Sequence, residues 1–416
     1  MRKIPGHTLL DSSAALLREG CLFISNRCQR YDSPVFATRL LLQYTLCLRG
    51  EMAAELFYDQ QLFSRKNALP RILQKTLLGV GGVQGMDGPE HLQRKRLFLQ
   101  ALNTERVERL VRLAEHQWLA ALQRWEGQSH VVILPEIEML LCKAVCRWAG
   151  VPLGDDEALQ RRQQLAAMID GGGRIGWGQL AARRARSKAQ AWASELIDGQ
   201  RDGRFDAPVD SAIALVSRHR GYDGELLSRP VAAVELLNLL RPTVAVARFI
   251  VFALLELHRH PEWQRRLARD DGWLRPFTHE VRRLYAFFPF IAARVRQDFE
   301  WEGYGFKAGT RVLLDLYGTN RDPATWEQPE VFMPERFVGW QGDAYSFIPQ
   351  GGASAEYHHR CPGEYLTIVL IESALQLFCR RMHYTIAEQD LNVSTRRMPM
   401  LPARCLILSD IEALRT

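Results

Sequence analysis

The sequence predicts a mainly α-helical domain with a minor β portion, and three observations predict it. Four long segments carry apolar residues at three- and four-residue spacing, the period of a helix with one buried face. Strand-like alternation is rare, and no repeat or low-complexity linker divides the 416 residues, so 1–416 reads as a single domain. The composition, 47% hydrophobic and 24% charged, is that of a globular chain able to bury a large core or a cofactor.

Taken in order, the opening MRKIPGHTLLDSSAALLREG has no sustained apolar run, so neither a signal peptide nor a membrane anchor is expected. Glu105–Leu122 is the first strongly periodic helix. The second, Leu180–Ile197, carries Arg183-Arg184-Ala185-Arg186-Ser187-Lys188 without aromatic platforms or a reading motif, so this cluster reads as a solvated face and nucleic acid is not an expected partner. Gly171–Gly173, Arg201–Pro208 and the stretch from Arg321 to Glu356 are loop breakers. Val231–Leu257 is the most apolar segment, interrupted by Glu235, Arg241, Arg248 and Glu256. A bilayer span would bury those charges in lipid, so a core helix of a soluble, cytoplasmic protein is expected. Asp298–Asp315 reads as a hairpin about Lys307-Ala308-Gly309, with a weaker strand near Pro402–Leu408. Tyr365–Phe378 is the last helix. With 54 Lys+Arg against 47 Asp+Glu, the net charge of +7 is mild for this length; it reads as serving solubility, with an acidic partner or an anionic membrane surface as the alternative.

The eight cysteines are scattered; Cys142 and Cys146 lie one helical turn apart, but no second pair or histidine cluster supports a zinc site. Cys361 differs. In 347-FIPQGGASAEYHHRCPGEYL-366 it stands at the mouth of a helix, where backbone N–H groups favour a thiolate, the form that binds metals and attacks electrophiles. Pro362 suits a first helical position, and Gly363 lets something large and flat approach the backbone. Alone, Cys-Pro-Gly also fits a structural thiol. Glu280 and Arg283 stand one turn apart and can pair.

Arg241-Pro242 interrupts the apolar helix. A guanidinium keeps its charge, so inside such a helix it needs an anion, and Pro242 removes a helical N–H and opens the turn locally. Glu235, six residues away, lies on another face, and Arg248 stands near the stripe of Arg241 about 10 Å along the axis. The residues alone leave two partners for Arg241: an internal acid or a bound carboxylate.

The order Glu280-x-x-Arg283, hairpin, Pro334-Glu335-Arg336-Phe337, glycine-containing loop, Cys361-Pro362-Gly363, helix resembles the C-terminal half of a cytochrome P-450. That resemblance implies the cytochrome P-450 fold, with haem b sandwiched between the long central helix and the cysteine loop. It implies Cys361 as the axial ligand of the iron and Glu280, Arg283 and Arg336 as the structural triad of the proximal side. In 91-HLQRK-95, His91 and Lys95 match the cationic residues that hold the haem propionates. Lysine stands where arginine is usual and gives up bidentate pairing.

Two departures refine the resemblance. An enlarged loop separates Phe347 from Cys361, and Arg241-Pro242 replaces the acid–threonine pair of the central helix. With 83-VQGMDG-88, 241-RPTVA-245 and 348-IPQGG-352, these are similar to the bacterial fatty-acid peroxygenase branch, and the likeness covers nearly the whole chain. It implies hydroxylation of a long- or medium-chain fatty acid at Cα or Cβ with hydrogen peroxide, without nicotinamide or a redox partner. Arg241 would clamp the carboxylate through two parallel charge-assisted hydrogen bonds, and that carboxylate would act as the acid–base group. Gln84 takes a position held by histidine in a decarboxylating relative, and an amide cannot carry a proton as histidine does. Hydroxylation is therefore expected over decarboxylation to terminal alkenes. Leu77, Leu78, Ile169, Ala245, Phe288 and Phe290 fall on or beside matching segments of the acyl tunnel, whose entrance Gly171–Gly173 would widen or loosen. The rival readings are alkene formation, a reductase-fed mono-oxygenase, and a haem protein that binds acyl chains without turnover.

Overall fold

The structure, a computed structural model, describes residues 2–173, 176–285, 287–403 and 405–414. The periodic segments form the expected helices, each a few residues longer than its pattern. Glu105–Leu122 lies within the helix Thr104–Trp125, whose first turn is capped by Asn103 accepting the Arg106 N–H at 3.0 Å. Leu180–Ile197 lies within Trp177–Arg201, and Tyr365–Phe378 within Glu364–Arg380.

The apolar segment forms two successive helices, Arg229–Ala245 and Ala247–Arg259. The expected opening at Pro242 does not occur: the helix runs through it, and the break falls at Val246, which keeps near-helical dihedrals of −57° and −26°. The missing Pro242 N–H costs only the bond to the carbonyl one turn back, and dense packing holds the rest. Between Ala232 and Leu257 every residue is buried except Pro242. The 31-residue pair is long and apolar enough to cross a membrane, yet its most apolar window is 94% buried within the protein, as a core helix should be. It packs into the main core with Trp118, Trp125, Ile137 and Phe378.

Eleven strands are assigned among the described residues, in chain order β1 (Gly6–Asp11), β2 (Val35–Leu40), β3 (Gln43–Leu48), β4 (Phe63–Ser64), β5 (Val131–Val132), β6 (Phe290–Val295), β7 (Phe299–Trp301), β8 (Tyr304–Phe306), β9 (Arg311–Asp315), β10 (Met382–Ile386) and β11 (Ile407–Ala413). They build a six-stranded sheet in the order β1-β2-β3-β9-β6-β4, a three-stranded sheet β10-β11-β5 and the pair β7-β8. β2 and β3 were not expected, because strands buried along most of their length show no alternation. The expected hairpin is corrected too. It turns at Glu302-Gly303, both at positive φ, and Lys307–Gly309 instead leads into β9, wholly buried between β3 and β6. The weak strand near Pro402 begins only at Ile407.

Candidate functional site

Two polar clusters stand out, one beside the cysteine loop and one along the central helix. In the first, Arg283 grips Glu280 with two hydrogen bonds of 2.7 and 2.8 Å, and Arg336 reaches the same carboxylate at 3.3 Å. Glu280 also accepts the Met333 N–H at 2.8 Å, and Arg283 donates to the carbonyls of Asn320, Pro329 and Val331. Glu280 and Arg283 are fully buried, and their hydrogen bonds are so well provided for that the knot ties the loop before the cysteine to the helix Leu274–Leu284.

Cys361 follows that loop, its N–H donating to the Gln350 carbonyl at 3.1 Å. Gln350 is held in turn by Arg282 at 3.3 Å and by Thr367 at 3.1 Å, while Arg282 and Arg360 both pair with Glu364. Pro362 lies in the turn before the helix rather than at its first position, because Gly363 caps a helix that begins at Glu364. The expected lowering of the thiol's pKa is only a partial effect. Burial pushes Cys361 up, against the Gly363 N–H, Lys95 and the Gln350 side chain, so an isolated thiol stays protonated and a bound metal would have to displace the proton.

The surroundings of Cys361 fit haem. Lys95, on the helix Gly88–Ala101, is buried and donates to the carbonyls of His358 and of Arg360, the latter at 2.8 Å; among the described residues it pairs with no carboxylate. Burial pulls Lys95 down to about 8. The buried Nδ1 of His358 has no hydrogen-bond partner. A soft sulfur ligand beside under-used donors suits an iron porphyrin with two propionates. His91 stacks on His359 with centroids 4.0 Å apart; burial draws His91 down to about 4 and His359 well below its ordinary value, and an anionic propionate beside them would oppose that shift.

The second cluster lies along the central helix. Arg241 is 5% exposed. Its Nη2 donates to Asn238 Oδ1 at 3.3 Å, while its buried Nη1 has no partner among the described residues. Asn238 donates to Glu235 at 2.8 Å and to Gln84 Oε1 at 3.5 Å. Glu235 is already taken by Arg94 at 2.6 Å, and Arg248 is engaged by Glu138 at 3.2 Å and Asp170 at 2.7 Å. The acid that the sequence named as a possible partner for Arg241, Glu235, is therefore committed to Arg94. Burial, with Arg186 beside it and Glu235 opposing, pushes the Arg241 guanidinium down to about 9. A charge held in so dry a place favours an anion, and Nη1 is the donor left for one.

The sequence missed Arg94, Glu235, Asn238 and Arg186 as members of this cluster. The signal was present: Glu235, Asn238 and Arg241 follow one another at three-residue spacing, and Arg186 is flanked by the buried Ala182 and Ala189 one turn away on either side. The solvated-face reading therefore holds for Arg183, Arg184 and Lys188 and fails for Arg186, which is 2% exposed.

Of the expected tunnel residues, Leu77, Ile169 and Ala245 are buried, Leu78 and Phe290 are half-buried, and Phe288 is exposed. Ile169 and Ala245 share the main core, whereas Phe290 packs with the N-terminal cluster around Phe23 and Phe36. Gly171–Gly173 does not loosen this region. A Cβ on Gly171 would fall 2.1 Å from that of Ala182, and one on Gly173 2.4 Å from the Met398 carbonyl oxygen, so these glycines let three segments pack against one another.

The family model for cytochrome P450 matches residues 273–403. Over 79% of its length the chain is 28% identical to cytochrome P450 137 of Mycobacterium tuberculosis, covering 72% of that protein. It is similar in structure to a variant of cytochrome P450SP alpha, with 42% identity, 97% of this chain and 99% of that one covered, and a TM-score of 0.95. It is also similar to cytochrome P450EX alpha solved with myristic acid, with 40% identity, complete coverage of both chains and a TM-score of 0.96.

Proposed function

This chain belongs to the cytochrome P450 superfamily, in the branch that holds P450SP alpha and P450EX alpha, and from that premise we propose that it uses hydrogen peroxide to hydroxylate a fatty acid at Cα or Cβ. One observation carries the reading: Arg241 is a buried cation with an unused donor, in a helix whose nearest acid is already bound by Arg94. A fatty-acid carboxylate supplies the missing anion, and the myristic acid held by P450EX alpha supports that ligand class.

Haem, bound through Cys361, supplies the oxidising centre. The protein's own part is positioning. Asn238 holds one arm of Arg241, so the guanidinium presents a fixed edge and the carboxylate it binds can sit in few orientations. Clamping the acid at its head leaves Cα and Cβ as the carbons nearest the clamp. The bound carboxylate is also the acid–base group that the helix lacks, able to pass a proton between the two oxygens of hydrogen peroxide. The balance is fatty acid plus hydrogen peroxide to hydroxy acid plus water, and no reductase or nicotinamide enters it. Gln84, joined to Asn238, offers a neutral amide at the edge of the chamber, which favours hydroxylation over alkene formation.

The test uses purified haem-loaded protein, myristate and hydrogen peroxide, with products identified by mass spectrometry. A 2- or 3-hydroxy acid formed without any reductase is the expected result. Product that appears only after a reductase and nicotinamide are added overturns the peroxide reading.

A further inference from the structure

The buried guanidinium of Arg186 takes no part in the clamp described above. Its Nη1 donates to the Leu77 carbonyl at 3.0 Å and its Nε to Gln190 at 3.4 Å, while Nη2 is buried without a partner among the described residues. Nη2 lies against Gly79 and Val234: a Cβ on Gly79 would fall 2.3 Å from it and 2.5 Å from a Val234 methyl. Only a residue without a side chain leaves room there. Val234 precedes Asn238 and Arg241 on one stripe of the central helix, so Arg186 points toward the chamber that Arg241 serves.

The same residue also faces the surface. It lines a cavity of about 390 Å³ together with Lys75, Arg183, Ser187, Gln190 and Ser194. That cavity has three cations and no acid in its wall, and among the described residues neither Lys75 nor Arg183 forms an ion pair. Along this line stand three buried arginines, Arg94, Arg186 and Arg241, and among the described residues the Glu235 carboxylate between them pairs with Arg94 alone. One bound carboxylate at Arg241 still leaves an excess of positive charge.

We propose that Arg186, with Lys75 and Arg183, forms a second carboxylate site, an outer station where an alkyl carboxylate is captured before it passes to Arg241. The ligand class rests on the fatty-acid reading above. In this arrangement the exposed pair draws the anion from solution, and Arg186 is the one guanidinium that meets both the surface cavity and the helix stripe leading to Arg241. The station governs how fast substrate arrives, and Arg241 governs how long it stays.

The test is stopped-flow binding of decanoate to haem-loaded protein, followed by the haem absorbance change, at about 20 mM and about 500 mM sodium chloride. Wild type is expected to bind more slowly at high salt. The exposed double variant K75Q/R183Q should bind about fivefold more slowly at low salt, with a flatter salt dependence and an unchanged dissociation rate. R186Q should repeat this with a larger loss of association rate; because it also gives up the Leu77 contact, the exposed pair carries the decision. Association of K75Q/R183Q at the wild-type rate in low salt overturns the station and leaves the Arg241 clamp standing. A wild-type protein that gives no response to decanoate overturns the carboxylate reading itself, and the station with it.

Discussion

Glu280 with Arg283 and Arg336, and Glu235 with Arg94, Asn238 and Arg241, are built from the same residue types at similar depth. In the first cluster two arginines and a backbone N–H converge on one carboxylate, and Arg283's remaining donors end on carbonyls. In the second, one arginine satisfies the carboxylate and another keeps a buried donor with nothing to bind. The first is complete within the chain, and the second leaves a donor over. Buried charge by itself does not mark a binding site; buried charge whose count does not close does.

Substitutions separate the two. Arg241→Ala should lower turnover of long-chain acids by about ten-thousandfold, since it removes the group that orients the substrate, while the haem spectrum and the melting temperature hold or improve. Product analysis beside a thermal melt checks both halves, and a large fall in melting temperature would place Arg241 with the structural cluster instead. Arg283→Ala should do the reverse, leaving Glu280 buried and losing about 3–5 kcal/mol in chemical denaturation.

A third buried acid sharpens the rule, because among the described residues it forms no ion pair. Asp315 accepts from Ser25 Oγ at 2.6 Å and from the Gly318 N–H at 2.8 Å, and burial lifts its carboxyl to about 6. A carboxyl raised above its ordinary value of 3.8 stabilises the fold fully only while protonated, so this contribution is lost as pH climbs from about 4 to 6. Asp315→Asn should flatten that stretch of the stability curve by about 3 kcal/mol, measured by denaturant titration at several pH values. The smallest effect is expected from Arg94→Gln. Glu235, released, would turn to Arg241 and compete with substrate, raising KM about tenfold with less change in kcat. Initial rates across a substrate series would show it, and an unaltered KM would mean that Glu235 cannot reach the clamp.

Much of this was legible in the sequence. The helices followed from apolar spacing, because a helix with one buried face repeats every turn. Part of the sheet did not, because β2 and β3 are largely buried and carry no alternation to read, whereas β9 falls within the stretch that read as a hairpin. Cys361, Glu280, Arg283 and Arg336 were identifiable because their order along the chain resembles a known pattern, and Arg241 because a guanidinium in an apolar helix demands an explanation. Arg94 and Arg186 were not, since each sits among other basic residues and only packing shows that it is buried. The titration behaviour of Cys361 and His91 also escaped, because desolvation depends on neighbours distant in sequence.

The turn Gly171–Gly173 carries a lesson about mutational tolerance. Its outer two positions are closed to any larger residue by the Cβ of Ala182 and the carbonyl of Met398, and at the middle one a Cβ would come within 3.3 Å of a Leu77 methyl. These atoms differ in how they can yield: a carbonyl and a Cβ are fixed to the backbone, whereas a leucine tip can swing aside. Random variation at this turn would therefore be purged at its ends and survive at Gly172, where any gain in bulk would press on Leu77. A protein engineer thus has one adjustable position in this turn where the sequence suggested three, and a larger residue there bears on the packing of Leu77.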